Sequence, residues 1–100
     1  MNRYIEYTIN TDIEYSILIF KFVNGYFISI SEGRDHKLGY LSISVPNISN
    51  PLMTDNILAK VLSQHISDIT NKLCIVSVNA KKINTINMKK IFDSVMEYIR

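Results

Sequence analysis

The stretch that decides the fold is Ile13-Glu14-Tyr15-Ser16-Ile17-Leu18-Ile19-Phe20-Lys21-Phe22-Val23, followed by Asn24-Gly25 and then Tyr26-Phe27-Ile28-Ser29-Ile30-Ser31. Asn-Gly between two β-branched and aromatic runs is a strong short-range hairpin signal, because a two-residue type I′ turn requires positive φ at both positions. The reading is a hairpin turning at Asn24-Gly25. Ile13, Tyr15, Ile17, Ile19 and Val23 alternate with Leu18, Phe20 and Phe22, so both faces of its first strand are apolar and both require cover.

Working outward, Ile5, Tyr7 and Ile9 alternate with Tyr4, Glu6 and Thr8, which predicts a preceding strand with one wetter face, and Asn10-Thr11-Asp12 supplies turn chemistry. Glu32 to Lys37 reads as a charged, solvated loop. Leu38 to Val45 reads as a fourth strand near an edge, with Leu41, Ile43 and Val45 opposite Tyr40, Ser42 and Ser44, the serine face being the one suited to water. Pro46 and Pro51 then interrupt the sheet.

Thr54 or Asp55 can cap a first helix whose apolar positions are Leu58, Val61, Leu62, His65, Ile66 and Ile69, running down to Asn71. Leu73 to Val78 reads as a well-buried fifth strand, with Cys74, Val76 and Val78 on one face and Leu73 and Ile75 on the other. Asn84 or Thr85 caps a last helix with the stripe Met88, Ile91, Phe92, Val95, Met96 and Ile99.

The order β-β-β-β-α-β-α predicts an α+β domain spanning residues 1–100: an antiparallel sheet of about five to six strands with two helices on one face. Helices packed about 8–10 Å apart can cover one face of such a sheet and not both. The second face still carries apolar side chains from the hairpin, the fifth strand and part of the fourth. Monomers rarely leave so large an apolar patch in water, so this face is expected to meet another protein, and a like-folded partner is a candidate.

Composition restricts function further. With 47% hydrophobic and 20% charged residues the chain is globular, and a net charge of +2 creates no strong field toward nucleic acid or anionic membrane. The single Cys74 excludes an internal disulfide framework and a cysteine-based zinc site. No run approaches a membrane span, and the first residues have no apolar core of a secretory signal. The expectation is a soluble intracellular protein of the cytoplasm, with the nucleus left open.

No constellation names a reaction. Cys74 with His36 or His65 could form a nucleophile and base, but a cysteine in mid-strand is read as a small buried hydrophobe, His65 as a half-buried helix residue and His36 as part of a solvated loop. Ser63, His65 and Asp68 point in different directions on a helix. Glu32 and Asp35 lack the ligand density of a calcium loop, and Gly25, Gly33 and Gly39 form no phosphate cradle. No catalytic residue, metal site or cofactor is therefore assigned. Lys81-Lys82 and Lys89-Lys90, with Tyr26, Phe27 and Tyr40, leave a weaker reading open, an RNA-binding sheet.

The element order and the passage Leu58-Ala59-Lys60-Val61-Leu62 through Thr70-Asn71-Lys72-Leu73-Cys74-Ile75-Val76-Ser77-Val78-Asn79 to a final helix resemble the small 20S proteasome assembly chaperones, type 4 more than type 3. The central hairpin and Pro51-Leu52-Met53-Thr54 are similar to the same family. The resemblance implies a non-enzymatic chaperone that acts as a dimer with a like-folded partner and holds α-type subunits while the α-ring forms. A type-4 chain would pair with a type-3 chain, whereas a type-3 chain can also self-associate. It implies no catalytic residue. Leu18, Phe20 and Phe22 are the expected partner interface, although periodicity does not decide which hairpin face lies under the helices. The alternative is a general protein-interaction or adaptor domain unrelated to the proteasome.

Overall fold

The computed structural model describes residues 3–46 and 56–99. Five strands, β1 (Arg3–Asn10), β2 (Glu14–Phe22), β3 (Gly25–Glu32), β4 (Tyr40–Ser44) and β5 (Leu73–Asn79), form one sheet in the order β1-β2-β3-β5-β4. Helices α1 (Ile57–Thr70) and α2 (Thr85–Ile99) pack on one face of it. The α+β class, the element order and the one-sided helices are as expected from the sequence.

The sheet is mixed. β1–β2, β2–β3 and β4–β5 are antiparallel, but β5 enters between β3 and β4 and runs parallel to β3. A strand apolar on both faces fits a central slot, and a connection through α1 delivers it there in the parallel sense. The alternation within β5 reads the same in either direction, so the sequence pattern favoured an all-antiparallel sheet.

The hairpin forms, but one residue earlier than Asn-Gly implies. Phe22 pairs with Gly25, leaving Val23 and Asn24 as the turn, and neither has positive φ. Gly25 serves another purpose: a Cβ there would run into the carbonyl of Leu73, so the missing side chain lets β5 approach. The shift moves the pairing by two residues and leaves the same side chains on each face.

The core lies between sheet and helices. Tyr15, Ile17 and Ile19 of β2, Ile28 and Ile30 of β3, and Cys74, Val76 and Val78 of β5 meet Leu58, Leu62 and Ile66 of α1 and Ile91, Val95 and Ile99 of α2. α1 starts at Asn56, whose side chain accepts from the Ala59 amide at 3.0 Å, while the expected caps Thr54 and Asp55 lie outside the described residues. It ends at Asn71 in the left-handed region, φ 57°. Asn84 caps α2, accepting from the Asn87 amide at 2.7 Å.

One expectation about α1 and one about β4 are corrected. Val61 and Ile69 are about half exposed, and the buried stripe instead includes Ala59, Ser63 and Ser67. The serine side of β4 does not face water: Ser42 and Ser44 are buried against α1. Ser63 donates to the Lys60 carbonyl at 3.2 Å, and its oxygen accepts from Ser42 and Ser44 at 2.9 Å each. Three small hydroxyls that satisfy one another allow close helix–strand contact without an unpaired polar group.

Candidate functional site: the open face of the sheet

The strand register places every side chain of the face away from the helices. Across it, Tyr4, Phe20, Phe27, Ile75 and Ile43 stand opposite one another on β1, β2, β3, β5 and β4 in turn. They form one apolar row spanning all five strands. Phe20 is at its centre, its ring centroid 5.6 Å from Tyr4, 6.1 Å from Phe27 and 6.3 Å from Phe22. Phe22 and Leu73 extend this half toward the hairpin end.

Moving away from the turn, a border row carries Glu6, Leu18, Ser29, Ser77 and Leu41, and beyond it the other half of the face is polar, with Thr8, Ser16, Ser31 and Asn79. The loop of residues 33–39 crosses this half as a strap tied by side chains from the sheet. Ser16 donates to the Gly33 carbonyl at 2.6 Å, Ser31 donates to the Lys37 carbonyl at 3.1 Å and accepts from the Lys37 amide at 2.9 Å. Ser77 accepts from the Gly39 amide, and Asn79 donates to the Leu38 carbonyl, both at 2.9 Å. Ser16, Ser29, Ser31 and Ser77 are consequently buried.

At the border between the halves, His36 of the strap meets Glu6 of β1 at 2.6 Å. The sequence reading of 32–37 as a charged, solvated loop holds for its exposed residues 34–37, and the structure adds how the loop is tied down. Its charged side chains are largely exposed, but its backbone is held by serines whose role their own alternation could not reveal. A run of serines on one face opposite apolar residues was the available signal.

Leu18, Phe20 and Phe22 all project from this open face, and none lies under the helices. Leu18 and Phe20 are half-buried and Phe22 is exposed. The row adds Tyr4, Phe27, Ile75 and Ile43, which periodicity within one strand could not join because the join depends on register.

The residues weighed for chemistry are dispersed. Cys74 is fully buried among core side chains, and burial pushes its thiol up to about 12. His36 is engaged with Glu6, and the ring of His65 lies 5.2 Å from that of Phe92 between the helices. Tyr26 and Tyr40 are on the helix side of their strands while Phe27 is on the open side, so these aromatics do not form one stacking surface. Lys72 sits 5.9 Å from the Tyr26 ring centre, and Lys89 pairs with Asp93. A cleft of about 550 Å³ at the ends of β4 and β5 is lined by Gly39, Tyr40, Val78, Asn79, Ala80 and Lys81, which offer no acid–base pair. Among the described residues no cluster of His, Cys, Asp and Glu could hold a metal ion, and no helix is long and apolar enough to cross a membrane.

No family model and no curated protein matches the sequence. A solved structure matches the fold. The chain is similar to one in the crystal structure of a chaperone complex for yeast 20S proteasome assembly. The TM-score is 0.64 over 98% of this chain and 94% of that one, with 14% sequence identity. At that identity the shared property is the fold, over nearly the full length of both chains.

Proposed function

We propose that this chain is a non-enzymatic assembly chaperone that dimerises with a like-folded partner through the apolar half of its open face, the pair holding α-type subunits while the α-ring of the 20S proteasome forms. One observation carries the reading: an apolar row across all five strands, left bare by both helices and strap, in a fold similar to that of a chain from a proteasome assembly chaperone complex. Leu18, Phe20 and Phe22 are the proposed contact residues, joined by Tyr4, Phe27, Ile75 and Ile43.

A partner with the same fold supplies a second sheet of matching shape, and two sheets stacked about 10 Å apart interdigitate the side chains of their facing rows. Each large apolar side chain fully buried there contributes about 1.5–3 kcal/mol relative to exposure. The mechanism is binding alone: the dimer competes with incorrect subunit contacts and leaves as the ring closes. A type-4 role requires a type-3 chain as partner, and a type-3 role permits a second copy. The cytoplasm is the proposed compartment, with the nucleus open.

Affinity purification of the tagged chain from its own cells, followed by mass spectrometry, tests the proposal. The expected result is a second small chain of like fold together with α-type proteasome subunits and without mature β subunits. Recovery of partners unrelated to the proteasome would replace the assembly role with that of a general interaction domain.

A further inference from the structure

The helix side carries a second apolar surface that the open-face reading does not use. Between the first turns of α1 and α2 lie two adjoining depressions of about 220 and 200 Å³ that share Ile57, Leu58 and Met88. The first continues along Val61 and Phe92; the second opens toward Lys81 and Lys82. Ile57 is 64% exposed and Val61 47% exposed, and Ile86 in the first turn of α2 is 69% exposed. The walls are thus two apolar ridges at helical spacing, Ile57 with Val61 and Met88 with Phe92, each an i, i+4 pair.

We propose that this groove docks an acidic amphipathic helix belonging to another protein. Each depression is smaller than the ~300–1,000 Å³ of a small-molecule site, so the groove suits apolar anchor side chains presented in sequence by a segment laid along it. Charge selects the segment. Lys81, Lys82 and Lys89 line the groove and, among the described residues, no Asp or Glu does. Lys89 is paired with Asp93 at 2.9 Å, whereas Lys81 and Lys82 make no ion pair among the described residues. A helix with Leu, Phe or Met at i, i+3 or i+4 on one face and Asp or Glu flanking them satisfies both features, and a basic helix would meet repulsion. The groove lies on the opposite side of the sheet from Phe20, so it and the open face can be occupied together, and the proposal does not depend on the proteasome reading.

Selection of a displayed library of random peptides about 16 residues long, ~24 Å as a helix, on the full-length chain tests this. The expected result is enrichment of acidic peptides with helically spaced apolar anchors. Their binding to the chain should weaken at least about tenfold in the Lys81→Glu/Lys82→Glu variant and in Val61→Lys, and be unchanged in Phe20→Glu. All three groove positions are exposed, so circular dichroism should show intact folds. Enrichment of basic or uncharged peptides, affinity indifferent to the lysines, or dependence on Phe20 would overturn the proposal. So would an empty selection, as expected if the chain's own residues 47–55 fill the groove, or self-association abolished by Val61→Lys, which would assign the groove to a second copy.

Discussion

The two halves of the open sheet face are built on the same strands and treated in opposite ways. Around Ser16, Ser31, Ser77 and Asn79 the chain folds its own loop back over the sheet and ties it down by five hydrogen bonds. Around Phe20 no described loop or helix provides cover, and Tyr4, Phe22 and Phe27 stand beside it. Serine hydroxyls suit a strap because they saturate the backbone groups of an irregular loop, which buried unpaired would each cost about 1–3 kcal/mol. The phenyl rings of Phe20, Phe22 and Phe27 can satisfy no such groups; they suit another apolar surface. The composition of each half thus matches a different kind of cover: the chain's own loop on the polar half and, under the proposed function, a partner's surface on the apolar half.

Substitution can break this contrast at its widest point. Phe20→Glu should abolish pairing with a like-folded partner, lowering affinity at least ~100-fold, about 3 kcal/mol, while the isolated chain remains folded. Ile19→Glu, one residue away and fully buried under the helices, should prevent folding altogether. Pull-down of the partner and circular dichroism on both variants distinguish the outcomes.

On the strapped half, Ser31→Ala removes a hydroxyl that both donates to and accepts from Lys37, and should cost about 1–3 kcal/mol in chemical denaturation. Amide exchange should accelerate at Lys37 and Gly39, leaving β2 and β3 around Phe20 and Phe27 protected. Equal acceleration across the whole sheet would remove the distinction between a separable strap and the sheet beneath it.

Titration addresses the layer under both halves. Burial pushes the Cys74 thiol up to about 12 and the Tyr7 phenol, whose oxygen accepts from the Ser94 hydroxyl at 2.8 Å, up to about 12. The unfolded chain loses these protons near 9 and 10 while the folded chain keeps them. Stability should be full below pH 9 and fall as the pH rises toward 12, and Cys74→Ala should flatten that decline. At the acid end, hydrogen bonds from Asn87 and Thr11 hold Asp12 below its ordinary 3.8. That contribution is present above pH 3.8 and is lost as the pH falls through the folded value.

The smallest effects concern single polar groups. Glu6→Gln weakens the exposed pair with His36 at the border of the halves and should change stability by about 0–1 kcal/mol. Ser67→Ala on α1 should raise stability by up to about 1 kcal/mol, because the buried Ser67 hydroxyl has no partner among the described residues.

Much of this was legible in the residues. Alternation located all five strands, the apolar periods Leu58–Ile69 and Met88–Ile99 located both helices though not the Asn56 cap, and the excess of apolar side chains over helix surface pointed to a sheet face that the helices leave open. What escaped reading depends on partners distant in sequence. Gly25 looks like a turn residue until Leu73 is beside it. Ser42 and Ser44 look wet until Ser63 closes their hydrogen bonds. The strap looks solvated because its side chains are charged, whereas its attachment uses backbone groups common to any sequence. Leu18, Phe20 and Phe22 could be assigned to one face by period, but the row through Tyr4, Phe27, Ile75 and Ile43 exists only once the register is fixed.

The contrast between the halves is tested most directly by hydroxyl-radical footprinting of the chain alone and in the binary complex with the small partner recovered from its cells. The account predicts that Tyr4, Phe20, Phe22 and Phe27 are oxidised in the free chain and several-fold protected in the complex, with Met88 and Phe92 on the helix side unchanged. Protection confined to the helix side, or none on the aromatic row, would contradict it.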